Sequence, residues 1–213
     1  MKRRKRKWPL FVGVFALLAL SLSIGPYRLK KKSKPQKVEY HAVTWSDFSE
    51  HKRLQMLLKG FAIESVVDVP CADLESFPKE DFEGIRYIGI TPSKDKARAL
   101  QTQFGSKLRT FLDMEVTVDV LPKADLILCW DMLCTLSPSK AQAAIEQFKR
   151  SGAHFVLMRH FPEIKKNPKN RTGNLQPVNW TLPPYNFPEP IIHIMEKGEY
   201  GMESLALWNM ENL

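Results

Sequence analysis

Beyond residue 60 the sequence predicts a three-layer α/β fold. Its sheet is mostly parallel, with helices on both faces and an antiparallel hairpin at the C-terminal end. Three observations carry this. Short apolar runs alternate with helical stretches, the order that builds parallel βαβ units. The run over 64–69 is β-branched and breaks at Pro70 into small and acidic residues, as a strand does where it ends at a ligand crevice. The last two apolar runs flank Gly198 and Gly201, which suits a hairpin.

Each element has its own signal. Thr44-Trp45-Ser46-Asp47 opens a helix reaching Lys59, with Phe48, Leu54, Leu57 and Leu58 on its apolar side and Gly60 as its stop. The strand over 64–69 follows. A second, Arg86-Tyr87-Ile88-Gly89-Ile90, lies at βαβ distance. Ser93 caps a helix through Gln103, ended by Gly105, and a third strand covers 107–112. The unbroken apolar run of 124–130 reads as a strand buried on both faces. Ser137-Pro138 starts a helix that runs to Gly152, and 154–158 is the fifth strand. Residues 161–190, rich in Pro and Asn, are too long for a connector and read as a lid or binding loop. The runs 191–196 and 204–209 form the hairpin.

Charge divides the chain. Of its 32 Lys and Arg, twelve lie in residues 1–37, where there is no acid; the rest holds 20 basic against 23 acidic residues, a net of −3. A nucleic-acid surface needs a basic patch on the folded domain, so no nucleic-acid partner is expected. The basic head precedes seventeen uncharged residues, Trp8 to Ile24. As a helix these would span about 26 Å, near the lower limit for crossing a bilayer, with Trp8 and Tyr27 as interfacial aromatics. The rival reading is a cleaved signal peptide. Against it, no clean Ala-x-Ala precedes a mature start and the following segment is strongly basic. The expected layout is a tail over 1–7, a single-pass transmembrane anchor over 8–27, a basic linker over 28–43 and a domain over 44–213. Six basic residues flank the span on each side, so the positive-inside rule does not orient it.

Cys71, Cys129 and Cys134 include no Cys-x-x-Cys, and buried free thiols are expected rather than a zinc site. No Gly-x-Ser-x-Gly elbow, P-loop or His-Glu-x-x-His supports a rival chemistry.

Over roughly 60–210 the chain resembles the class I S-adenosylmethionine-dependent methyltransferases. The loop after the first strand, Asp68-Val69-Pro70-Cys71-Ala72-Asp73, is similar to a subfamily whose first motif begins Asp-x-Pro-Cys-Gly-Asp. The stretches 121–129, Phe161-Pro162, 182–190 and Ser204-Leu205-Ala206-Leu207-Trp208 resemble it too. The resemblance implies a Rossmann-like methyltransferase sheet behind the N-terminal transmembrane helix, with S-adenosylmethionine as cofactor. It also implies Asp68, Pro70, Ala72 and Asp73 as the cofactor loop, with both aspartates toward the ammonium group. An Asp at a strand end also serves simply to fix a turn. Thr91 stands where the family has an acid gripping both ribose hydroxyls, and one hydroxyl is a weaker partner than a carboxylate. Glu115 matches the acid that approaches the adenine amino group, or is a solvated loop carboxylate. Trp130-Asp131 stands where the subfamily has Arg-Asp, and Thr135 where it has His. Asp131 is the expected catalytic group, orienting or deprotonating the acceptor; the alternative is a carboxylate at a helix start. Pro183-Pro184-Tyr185 lies too far along the chain for the Asn-Pro-Pro-Tyr signature and reads as loop structure. His160 ends the fifth strand, where it faces the crevice or packs.

Three functions fit: a membrane-anchored methyltransferase with an unidentified acceptor, an inactive methyltransferase fold serving as a tethered binding or scaffolding module, and a different enzyme on the same sheet.

Overall fold

The structure is a computed structural model that describes residues 50–71, 82–169 and 173–213, the side chains of residues 50 and 51 excepted. The expected anchor, residues 8–27, and the loop positions Ala72 and Asp73 lie outside the described residues. Among those described, no helix is long and apolar enough to cross a membrane.

Helix α1 (Glu50–Gly60) leads into strand β1 (Ser65–Asp68), followed by β2 (Arg86–Thr91), α2 (Lys94–Phe104), β3 (Arg109–Asp113) and β4 (Leu126–Cys129). A single turn, α3 (Met132–Thr135), precedes α4 (Pro138–Ser151) and β5 (Phe155–His160); β6 (Ile192–Gly198) and β7 (Gly201–Asn209) complete the sheet. The strand order is β3-β2-β1-β4-β5-β7-β6. Strands β1 to β5 pair in parallel. The hairpin inserts its second strand next to β5, so β7 runs antiparallel to both neighbours and β6 lies at the edge.

The local signals explain the boundaries. Ser93 Oγ accepts from Lys96 N to cap α2, and Ser137 Oγ does the same from Lys140 N for α4. Gly152, at φ +72°, stops α4 in the left-handed conformation. Strands β1 and β4 are buried at every residue, as their unbroken apolar runs require. One face packs Leu54, Leu57 and Leu58 of α1 and Leu100 of α2 against the sheet. The other packs Ala141, Ala144, Ile145 and Phe148 of α4.

The long segment after β5 differs from an open lid. Val178, Trp180 and Phe187 are buried in the α4-side core, with Trp180 edge-on to Tyr185. Two asparagines staple it. Asn167 Nδ2 donates to the carbonyls of Asn179 and Pro183, and Asn179 Nδ2 donates to those of Pro162 and Ile164. Such side chains replace some of the ladder bonds that a coil lacks, pairing the carbonyls of Pro162, Ile164, Asn179 and Pro183.

Candidate functional site

The strand order reverses between β1 and β4: β2 and β3 lie to one side, β5 and the hairpin to the other. In an open α/β sheet the usual ligand position lies outside the carboxyl ends of the two strands where the order reverses. Asp68 ends β1, Thr91 ends β2, Asp113 ends β3, and Trp130-Asp131 follow β4. Thus the sheet brings most of the sequence-predicted residues to one edge.

The backbone after β1 turns sharply. Val69 N donates to Leu128 O on the β4 side, and Cys71 N donates to Ile90 O on the β2 side, with a cis peptide bond between Val69 and Pro70. Pro70 is exposed at this turn while Cys71 is buried. Gly89 permits the close approach: a Cβ there would lie 2.7 Å from Phe111 Cδ1 and 3.0 Å from Cys71 Cβ.

Asp68 is 3 % exposed. Its Oδ2 accepts a 2.6 Å hydrogen bond from the Tyr87 hydroxyl, whereas Oδ1 has no hydrogen-bond partner among the described residues. Burial pushes its carboxyl up to about 7, against the opposing pull of the Tyr87 bond and the Lys96 charge. Lys96, from the first turn of α2, donates from Nζ to Cys71 O at 3.2 Å and so bridges the ends of β1 and β2.

Thr91 is 2 % exposed, and its Oγ1 accepts weakly from Ser93 N at 3.4 Å. That hydroxyl serves the entry to α2. Glu115 folds back on its own loop, where Oε1 accepts from Thr117 Oγ1 at 2.9 Å and Thr117 N at 3.2 Å. It is exposed and sits in a local turn.

Asp131 occupies the N-cap position of α3 but makes no side-chain cap bond. Its Oδ1 instead accepts from Arg159 Nε at 2.8 Å. Arg159 Nη1 donates to Glu196 Oε1 at 2.6 Å and to Glu203 Oε2 at 3.2 Å, and Arg53 Nη2 lies 3.5 Å from Glu196 Oε2. One guanidinium thereby ties the loop after β4 to both strands of the hairpin, and Arg53 extends the network to α1. His160 points into the α4-side core. There its Nδ1 accepts from Trp180 N at 3.3 Å, and burial, with His193 beside it, lowers it to about 4. Thr135 Oγ1 donates to Met132 O within its own turn.

No family model matches the sequence, and neither does any curated protein. Solved structures do match the fold. The N-methyltransferase NodS from Bradyrhizobium japonicum WM9, in complex with S-adenosyl-L-homocysteine, superposes with a TM-score of 0.56 at 15 % identity, covering 75 % of this chain and 84 % of that one. Human N-acetylserotonin methyltransferase, in complex with S-adenosylmethionine, gives 0.54 at 13 % identity, over 75 % of this chain and 51 % of that one. Magnesium protoporphyrin IX methyltransferase (ChlM) from Synechocystis PCC 6803, with bound S-adenosylhomocysteine, gives 0.52 at 11 % identity, over 74 % and 80 %. The chain has the methyltransferase fold. At these identities the likeness speaks for the fold alone.

Within the methyltransferase fold, Asp68, Pro70, Thr91 and Asp131 lie at or just after the carboxyl ends of β1, β2 and β4, while Glu115 is turned into its own loop. Sequence reasoning missed Tyr87, Lys96 and Arg159. Arg159 had a visible signal, a charge inside the apolar run Phe155-Val156-Leu157-Met158-Arg159-His160. Tyr87 looked like any strand aromatic, and Lys96 like any helix-surface lysine.

Proposed function

We propose that this protein is an S-adenosylmethionine-binding methyltransferase held at a membrane by residues 8–27. The observation that carries the cofactor reading is Asp68. A buried carboxyl with one oxygen lacking a partner among the described residues, at the carboxyl end of β1 beside the switch point, fits an ammonium group. Asp68 and the backbone after Pro70 would hold the amino-acid end of the cofactor, together with Ala72 and Asp73. When bound, the cofactor supplies a sulfonium methyl group. The protein's part is to orient an acceptor in line and keep water away. Asp131, held by Arg159, would orient a hydrogen on that acceptor.

A second reading is an inactive module that binds without transferring. It is favoured by Thr91, which replaces a charged diol acceptor with one hydroxyl, a loss of about 1.5–3 kcal/mol. Titration of the purified full-length protein with S-adenosylmethionine and S-adenosylhomocysteine separates the possibilities. Heats of binding support the cofactor reading, and flat traces with both ligands leave the scaffold. The anchor is tested separately. The chain should stay with membranes through carbonate extraction, and a mature N-terminus near Gly25 would defeat it.

A further inference from the structure

We propose that the corner formed by the starts of β2 and β3 is a docking surface for anionic lipid headgroups, with Leu108 entering the membrane interface among four cations. This goes beyond the cofactor reading and does not depend on it.

Residues 106–109 form a tight turn. Ser106 N donates to Arg109 O at 3.0 Å and Arg109 N to Ser106 O at 3.3 Å, while Ser106 Oγ accepts from the amides of Leu108 and Arg109, each at 3.2 Å. Lys107 and Leu108 form its tip. Such tips ordinarily take Gly, Asn, Asp or Ser, yet this one holds a leucine 47 % exposed. Tyr87 N donates to Leu108 O, which sets Arg86 beside the turn, and Arg86 Nη2 donates to Lys123 O. Lys107, Arg109, Arg86 and Lys123 therefore lie around one exposed apolar side chain.

Among the described residues none of these four cations is in an ion pair. The acids at this end of the sheet are engaged elsewhere. Asp125 accepts from Ser65 Oγ and Glu64 N, and Glu64 and Glu83 line a groove with Leu58 and Lys59 of α1. The corner is thus locally positive on a domain whose sequence from residue 38 carries a net of −3.

The leucine selects the partner. Headgroup phosphates take the cations while the acyl boundary takes the apolar side chain. A nucleic acid would use the cations, leave Leu108 in water and need a broader basic stripe than one corner. A contact this small is weak alone, and it gains from a second attachment such as the anchor proposed above through effective concentration.

The test uses the full-length protein in vesicles of phosphatidylcholine alone or mixed with phosphatidylserine. A polarity-sensitive dye is placed on Thr110→Cys beside the turn or on Lys197→Cys at the far edge strand β6. The described native cysteines are buried, which favours labelling at the new thiol. The dye at 110 should shift to the blue with phosphatidylserine only, and the dye at 197 should not shift. Comparing the two positions separates this surface from lipid attraction by the basic residues before 38. Lys107→Glu with Lys123→Glu should abolish the shift at 110 without changing the melting temperature, since neither side chain makes a bond. Leu108→Asp should weaken it. No shift at 110, an equal shift at both positions, or the same shift in phosphatidylcholine alone overturns the proposal. A response at 110 to a nucleic-acid oligonucleotide with none to phosphatidylserine overturns it in favour of nucleic acid. If carbonate extraction releases the chain, the anchor fails, while a shift at 110 with added phosphatidylserine vesicles still upholds this surface.

Discussion

Arg159 Nε lies 2.8 Å from Asp131 Oδ1, so the end of β5 holds the carboxylate that follows β4. The same guanidinium holds Glu196 and Glu203, which makes it the common partner of three acids from three segments. Arg159→Met should cost about 1.5–3 kcal/mol, chiefly because it strands Glu203, whose side chain is 11 % exposed, while Asp131 and Glu196 are screened by water. Asp131→Asn should cost less than about 1 kcal/mol, since its side chain is 43 % exposed. Urea denaturation of both variants checks the asymmetry. Equal losses would mean that Arg159 does not organise the cluster.

Thr91 separates a weakened cofactor site from a lost one. Thr91→Asp should restore a two-oxygen acceptor at the end of β2 and tighten S-adenosylhomocysteine by about tenfold or more, at least about 1.4 kcal/mol. The unliganded variant should be slightly less stable, because the position is buried. Titration heats read the first effect and thermal melting the second. Unchanged affinity would place the ribose elsewhere.

Asp68 should make stability depend on pH in an unusual direction. Its folded value is raised to about 7 from 3.8, so between these values the folded protein holds a proton that the unfolded chain has released. Stability then falls as pH rises across that window, by up to about 1.4 kcal/mol per pH unit, and is flat above it. Asp68→Asn, which keeps an acceptor for Tyr87, should remove this component. Urea midpoints at pH 5 and pH 8 should therefore differ between wild type and variant by an amount that grows with pH, in favour of the variant.

The packed segment after β5 depends on its asparagines. Asn179 Oδ1 accepts from Thr181 N and Thr181 Oγ1, in addition to the two carbonyls its Nδ2 serves. Asn179→Ala should destabilise by about 1–3 kcal/mol by leaving those groups unpaired. Limited proteolysis should then cut within 161–190 before the rest of the domain unfolds. Cleavage at the wild-type rate would show that the aromatic packing alone holds the segment.

What the sequence determined by itself is the set of elements and the end of the sheet where chemistry belongs. Periodicity, Ser caps, the Pro138 start and the Gly152 stop are local signals, because neighbours along the chain create them. They locate α2, α4 and the parallel strands, and they place Asp68 and Thr91 at strand ends. Tertiary structure decided which strand the hairpin adds to β5, that Phe161, Val178, Trp180 and Phe187 enter the core, and what each carboxylate meets. Asp68 finds Tyr87 at a separation of 19 residues, Asp131 finds Arg159 at 28, and Arg159 finds Glu203 at 44. No local pattern encodes such partners. They become neighbours only when the sheet sets its strand order, and that order decides that burial raises the Asp68 carboxyl while Asp131 is held by an arginine.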